Sequence, residues 1–498
     1  MVASTADLGR AAPRVSTRPA EAAESSWPKR FGPGLIAVAL SGAIVGGMAV
    51  DIAPVAALAT LGAIAMAVIS PQVGLAILAF MAPLKPPAVI PAPGFDTVLV
   101  GAIILGCIYR FPIDRPRWRV TAPLLLLLAF VLFIAVAQLP DMAAGWVGDI
   151  GHLVGYQFFQ LLTALGTVIA AGYVLSGRSP YLVLGMALAG AAFTALIACV
   201  TFLVPTAGTP LANLIVATTD GTRATGPFGN PNYLGVFAAL ALAGAAGLAF
   251  TARSWTMRAV LSGTAILIAA GLAVSLSRGA FVAGAVGVAV VLLSRSRRFG
   301  IAALLVGALA ALVIYPAFVE ARLVSETGAA SAAAYAATAE SDAGRLMGVL
   351  AGPQIFLSSP LVGVGFGHYA AMSVIVGGTS VPIDAHNWYM NVLAEEGLVG
   401  IVLWVLLQVA IVLELRKRPA RARTIGLAVL AALAAGSLFL EPPTSYQTVA
   451  LPCIFLVAAL VAEWGPRAER LADPGPAGPS LAGLHPWARA QLQRRAAG

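Results

Sequence analysis

Apolar positions along this chain fall in long, closely spaced blocks, and polar positions are confined to the short gaps between them. The blocks lie near 33–50, 54–69, 72–83, 96–109, 120–138, 153–176, 181–204, 231–252, 257–275, 280–293, 299–317, 396–415, 424–440 and 447–463. These fourteen blocks predict twelve to fourteen membrane spans, since several fall short of the roughly 17 residues that a straight span needs. The block at 72–83 is the shortest, and two early blocks read either as separate spans or as one broken or re-entrant helix. Most blocks are too long and too uniformly apolar for barrel strands, so helices are required. The expected fold is all-α: a polytopic transmembrane helical bundle with a large external helical loop.

Composition narrows the class further. Of 498 residues, 59% are apolar or aromatic and 10% are charged, and the mean hydropathy is +0.91. A soluble domain carries roughly 25% charged residues, so soluble, disordered and collagen-like classes are excluded. Cys107, Cys199 and Cys453 sit inside apolar runs, without the spacing of a disulfide framework or a zinc site, and read as small buried hydrophobes.

Residues 1–30 have the composition of a disordered tail, residues 31–463 form the bundle, and residues 464–498 form a second tail. The first apolar stretch has no clear cleavage site and reads as a signal anchor. The net charge is +9, but the placement of that charge makes a nucleic-acid partner unnecessary. Of 30 Lys and Arg, 25 fall on alternating connections, on the same side as both termini. The positive-inside rule makes that side, and both termini, cytoplasmic.

Five basic residues remain on the external side: Lys85, Arg223, Arg278, Arg322 and Arg345. Topology does not require them there. Lys85 reads equally as a helix cap or a headgroup contact. The external side also holds the long stretch 318–395, far beyond the usual length of a connection. Its segment 328–339 is Ala-rich and of low complexity. Ser341-Asp342 is expected to cap an amphipathic helix from Gly344 to Leu357, with Leu346, Val349, Leu350, Ile355 and Phe356 on its apolar face. A second helix is expected to begin near His386 and run into the span after Gly397.

Three external stretches carry candidate chemistry. In the first, Asn230-Pro231-Asn232 supplies a cap and first helical turn, with Arg223 seven residues earlier. A helix N-terminus with free amides suits an anion. The plainer reading is a turn with an Arg reaching the headgroups. In the second, Arg278 sits between two apolar blocks joined by almost no loop, which is costly without a partner or a wet cavity. A structural ion pair is the alternative there. The third holds Arg345, the glycines Gly363, Gly365 and Gly367, and His386 with Asn387. No strand–helix unit surrounds the glycines, so they form no nucleotide loop. His386 reads either as a proton acceptor or as a satisfied hydrogen-bonding residue.

Arginine binds phosphate bidentately, and histidine takes a proton near neutral pH. Together they suit a diphosphate leaving group and a hydroxyl nucleophile. The scattered external acids and the absence of paired histidines favour a metal-free site.

These motifs resemble the O-antigen ligase and O-antigen polymerase superfamily of bacterial membrane glycosyltransferases. The matching stretches are Arg223 to Asn232, Ser277-Arg278-Gly279, Arg345 through Pro360-Leu-x-Gly-x-Gly, and His386-Asn387 with Ala394-Glu395-x-Gly397. They occur in family order over about 220–400. The resemblance implies a GT-C-like bundle in the bacterial inner membrane, with its active site on the periplasmic face and no cofactor. It implies an undecaprenyl-diphosphate-linked glycan as donor and a lipid, glycan or protein acceptor. Carried over, Arg223 and Arg278 would hold the diphosphate, and Arg345 would bind phosphate or acceptor. His386 would act as base on the acceptor hydroxyl or position it, and Asn387 and Glu395 would orient helices. The N-terminal tail and the Ala-rich insert depart from the family pattern. Ligase and polymerase are not separable here. An anion transporter is the alternative of a different class, although no internal repeat is evident.

Overall fold

The computed structural model describes residues 27–84, 94–114, 120–139, 148–204, 223–298, 332–441 and 445–464, with a few isolated positions besides. Among the described residues there are helices and no strands. In chain order the helices are α1 (Trp27–Ala49), α2 (Ala53–Ile69), α3 (Pro71–Met81), α4 (Phe95–Asp114), α5 (Ala122–Ala137), α6 (Gly148–Leu175), α7 (Tyr181–Leu203), α8 (Pro231–Thr251), α9 (Trp255–Val274), α10 (Arg278–Arg295), α11 (Ala332–Ser358), α12 (Tyr369–Ile375), α13 (Trp388–Glu395), α14 (Gly397–Arg416), α15 (Ala420–Gly436) and α16 (Tyr446–Val461).

Thirteen of the fourteen apolar blocks coincide with these helices, and the block at 299–317 lies almost wholly outside the described residues. Eight described helices are long and apolar enough to cross a membrane, while α2, α3, α5 and α16 are shorter. The chain is a polytopic, all-α membrane protein. The shortest block is a helix in its own right: Ser70 breaks the chain between α2 and α3, and α3 is almost wholly buried.

Packing explains why so much Ala and Gly is present. Helix α8 is the most buried of the eight candidate spans, packed against α9, α10, α15 and α16. Its small side chains admit close neighbours: a Cβ on Gly244 would meet the Phe455 ring, and one on Gly235 would meet Ser275, Ser277 and Ala280. With lipid as solvent, such close backbone approach replaces the hydrophobic drive between helices. Large apolar side chains point the other way, with Leu58, Ile108, Leu132 and Ile266 all largely exposed. They are placed to meet hydrocarbon.

Helix α11 corrects one expectation. It runs from Ala332, so Ser341-Asp342 lie within the helix and not at its start, and the described part of the Ala-rich insert is helical. Alanine has the highest helix propensity, which carries the helix back past the expected start. Its inward face is also not the bulky one. Gly348, Ala351, Gly352 and Ile355 are buried, whereas Leu346, Met347, Leu350 and Leu357 are exposed. The helix therefore packs through small residues and shows an apolar face outward.

The segment after His386 is two helices rather than one. Glu396 and Gly397 break it, and Gly397 has φ +64.

Candidate active site

The turns before α8, between α9 and α10, and between α15 and α16 share one end of the bundle with the segment 360–397. Asn230 caps α8 as expected, its side chain accepting from the Asn232 amide at 2.8 Å, with Pro231 in the first turn. Such a cap is worth about 1 kcal/mol.

Arg223 is 9% exposed and reaches across to the α9–α10 turn. Its Nε donates to the Ser275 carbonyl at 3.1 Å, and one terminal nitrogen donates to the same carbonyl at 2.9 Å and to Asn232 Oδ1 at 3.0 Å. The backbone follows, with the Ala224 amide donating to the Val274 carbonyl. Arg223 thus joins two turns and places Asn232 between them.

Arg278 is half-buried and is the first residue of α10. The turn before it contains Leu276 at φ +49, a left-handed conformation that costs a branched residue about 1–2 kcal/mol. The N-termini of α8 and α10 meet here, through Gly235 against Ser275, Ser277 and Ala280. Each helix start carries roughly half a positive charge. Two such starts, with Arg223 and Arg278 beside them, concentrate positive charge at this end of the bundle.

Gly279 packs on Phe439, in the α15–α16 turn. That turn in turn holds the His386 segment: the Trp388 amide donates to the Ser437 carbonyl at 2.8 Å, and the Glu441 carboxylate accepts the backbone amides of His386 and Asn387. Glu441 Oε2 lies 3.9 Å from His386 Nδ1. The Asn387 side chain caps α13 by accepting from the Met390 amide at 3.1 Å. His386 itself has φ +49. Strained left-handed residues of this kind gather at functional sites. Its side chain is 38% exposed, within reach of a ligand.

Burial lowers the His386 pKa from its ordinary value of 6.5, the Arg345 charge lowers it further, and Asp384 opposes both. The neutral imidazole is therefore favoured at neutral pH, as a proton acceptor requires. Arg345 stands on α11, where Gly348 abuts the Asp384 carbonyl, so α11 carries its guanidinium to the His386 turn. Burial pushes Glu441 up to about 8, with Asp384 adding to the rise. Burial also raises Asp384, and His386 offsets part of that.

The glycine stretch is a clamp around the α13–α14 junction. The Val364 and Gly365 amides donate to the Ala394 and Glu395 carbonyls at 3.1 and 2.8 Å. Gly363 has φ +73, and any Cβ there would collide with the Glu395 carbonyl. Gly365 has φ +101. The buried Glu395 side chain accepts from the Tyr369 amide at 2.8 Å and from the Gly367 amide. Burial raises its pKa above the usual carboxylate range. Glu396 beside it is also buried, and neither of its oxygens has a hydrogen-bond partner among the described residues.

Beneath the His386 turn lies an apolar cleft of about 160 Å³ between α5, α6, α14, α15 and α16. Its walls include Leu127, Leu161, Leu407, Leu433 and Leu456, and Tyr389, Trp404, Gln408 and Ser437 bring polar atoms to it. The Ser437 hydroxyl and the Trp404 ring nitrogen are buried and without hydrogen-bond partners among the described residues.

The structure thus links Arg223, Asn230, Asn232 and the Arg278 turn in one group, and His386, Asn387 and Arg345 in a second, with the α15–α16 turn between them. Glu441 escaped the sequence reading because it follows an apolar block and precedes two prolines, where it resembles a helix-end acid. The cleft escaped it because no single apolar block encodes a gap between five helices. Among the described residues no three His, Cys, Asp or Glu side chains converge as a metal site would require.

No curated protein matches the chain. A family model does: residues 263–405 match O-antigen ligase, a segment that includes Arg278, Arg345, Gly363, Gly365, His386, Asn387 and Glu395. The chain therefore resembles the O-antigen ligase and polymerase superfamily on two counts, the family match over that segment and the ordered motifs that begin before it at Arg223.

Proposed function

We propose that this membrane protein transfers or polymerises glycan from an undecaprenyl-diphosphate-linked donor onto an acceptor hydroxyl, on the external face of the membrane. The carrying observation is the position of the His386 turn. It sits at the head of an apolar cleft and is joined through the α15–α16 turn to the N-terminus of α10, which begins at Arg278, and through it to that of α8, where Arg223 holds Asn232. An apolar tail, a diphosphate and a hydroxyl nucleophile each have a complementary surface in that arrangement.

In this reading the polyprenyl tail lies in the cleft, and the diphosphate meets the positive edge formed by the α8 and α10 starts. His386 accepts the proton of the acceptor hydroxyl, or orients it, as oxygen attacks the anomeric carbon. The carbon–oxygen bond to the diphosphate breaks, and the arginines stabilise the leaving charge in a site of reduced dielectric. Direct displacement inverts the anomeric centre. The diphosphate supplies the activation, so neither nucleotide nor metal enters the scheme.

The test uses purified protein in detergent with a chelator and a polyprenyl-diphosphate-linked oligosaccharide. Lengthened carrier-linked glycan without another acceptor identifies a polymerase, and transfer only to an added lipid or protein identifies a ligase. Absence of carrier discharge with every acceptor, together with anion uptake into liposomes that Arg278→Ala removes, would overturn the reading in favour of a transporter.

A further inference from the structure

We propose that Glu441 is the positioning residue for His386, holding both the backbone and the ring of the proposed base. This rests on the transferase reading of His386 and adds a residue outside the 263–405 family match.

Glu441 is 5% exposed and stands in the turn between α15 and α16. A carboxyl buried this deeply is unfavourable without polar partners. The backbone amides of Glu441 itself, Asn387 and His386 lie against its carboxyl, and its Oε2 stands 3.9 Å from Nδ1 of His386. A carboxyl that meets the amides of two consecutive residues and the ring of the first constrains the turn that carries the ring.

The constraint has something to oppose. His386 is left-handed at φ +49, a conformation in which Cβ crowds the backbone. The Glu441 contacts and the Trp388–Ser437 hydrogen bond over-determine the turn, which is how such strain persists in a folded chain. With the Nδ1 edge turned to Glu441, the Nε2 edge is the one left for an acceptor hydroxyl. A group that faces one ring nitrogen fixes the role of the other.

Other groups near the imidazole are Arg345 on α11 and Asp384 two residues before it. Around the Glu441 carboxyl stand Asp384 and Glu395, and Tyr369 lies within range of all three acids.

The test is a mutant cycle on purified protein, with carrier discharge as the readout. Glu441→Gln keeps the size and an oxygen that accepts backbone amides, and it removes the titrating carboxyl opposite Nδ1. It should leave the melting temperature unchanged and lower kcat by about tenfold or more, within the range that a positioned base contributes, with KM for the donor little altered. The loss should vanish in a His386→Ala background, since a positioning residue has nothing left to position. Wild-type kcat in Glu441→Gln, or an equal loss in both backgrounds, would overturn the proposal while leaving the transferase reading in place. Wild-type kcat in His386→Ala would instead remove the base role and the proposal together. Glu441→Ala gives a second measure: a larger kcat loss is expected, again absent without His386.

Discussion

The carboxylate of Glu441 lies 3.9 Å from Nδ1 of His386, and it also receives the backbone amides of His386 and Asn387. One buried acid between α15 and α16 thereby sets the conformation of a turn some 55 residues earlier in the chain. The half-exposed imidazole in that turn, kept neutral by burial and by Arg345, is the feature on which the proposed chemistry depends.

The pH profile should report that imidazole. Its pKa is lowered by burial and by Arg345, so the neutral form persists through neutral pH, and activity should fall only as acid protonates it below 6.5. Arg345→Ala removes a positive neighbour while Asp384 remains. The histidine pKa should then rise, and the acid limb of kcat should move to higher pH. An unmoved limb in Arg345→Ala would show that another group controls the profile.

Arg223 and Arg278 should separate by readout. Arg223 donates to the Ser275 carbonyl and to Asn232, so Arg223→Ala should lower both the melting temperature and the transfer rate, and Arg223→Lys should not restore the forked contact. Arg278→Ala should abolish transfer while leaving membrane insertion intact. Fluorescence melting beside the discharge assay distinguishes the two behaviours.

Gly363 should tolerate no side chain. At φ +73, with the Glu395 carbonyl in the path of any Cβ, Gly363→Ala should cost about 2 kcal/mol or more through left-handed strain and displacement of the clamp. Gly378 has φ +72 but no atom within 4 Å of a Cβ, so Gly378→Ala should cost only about 1 kcal/mol. Comparable melting shifts for the two variants would argue against the clamp.

The cleft makes a prediction about chain length. Leu433 lines it, and Leu433→Trp should fill part of the space. The KM for a full-length polyprenyl donor should rise about tenfold, in line with an overpacking cost of 1–3 kcal/mol. A donor on a two-isoprene diphosphate should be affected far less. Equal effects on both donors would place the tail elsewhere.

Much of this was legible in the chain. Spans follow from apolar blocks because lipid demands them, and the Asn230 cap is written in Asn-Pro-Asn. The separation of the candidate motifs into groups was not legible, because it depends on which turns share an end of the bundle. The start of α11 was misread because Ser341-Asp342 looks like a cap, while the Ala run before it propagates the helix. Of the residues expected on its apolar face, Ile355 is buried while Leu346 and Leu350 are exposed. In α11 the small residues Gly348, Ala351 and Gly352 face the protein. Glu441 lies outside every motif, and nothing local marks it as the partner of His386.

The central claim is that the His386 end of the bundle discharges a polyprenyl-diphosphate-linked glycan. The most direct measurement compares carrier discharge by wild-type, His386→Ala and Arg278→Ala proteins, each purified in detergent and assayed with a chelator and an acceptor. The account expects discharge by the wild type and near-complete loss in both variants at unchanged melting temperature. Discharge by His386→Ala and Arg278→Ala at the wild-type rate would contradict it.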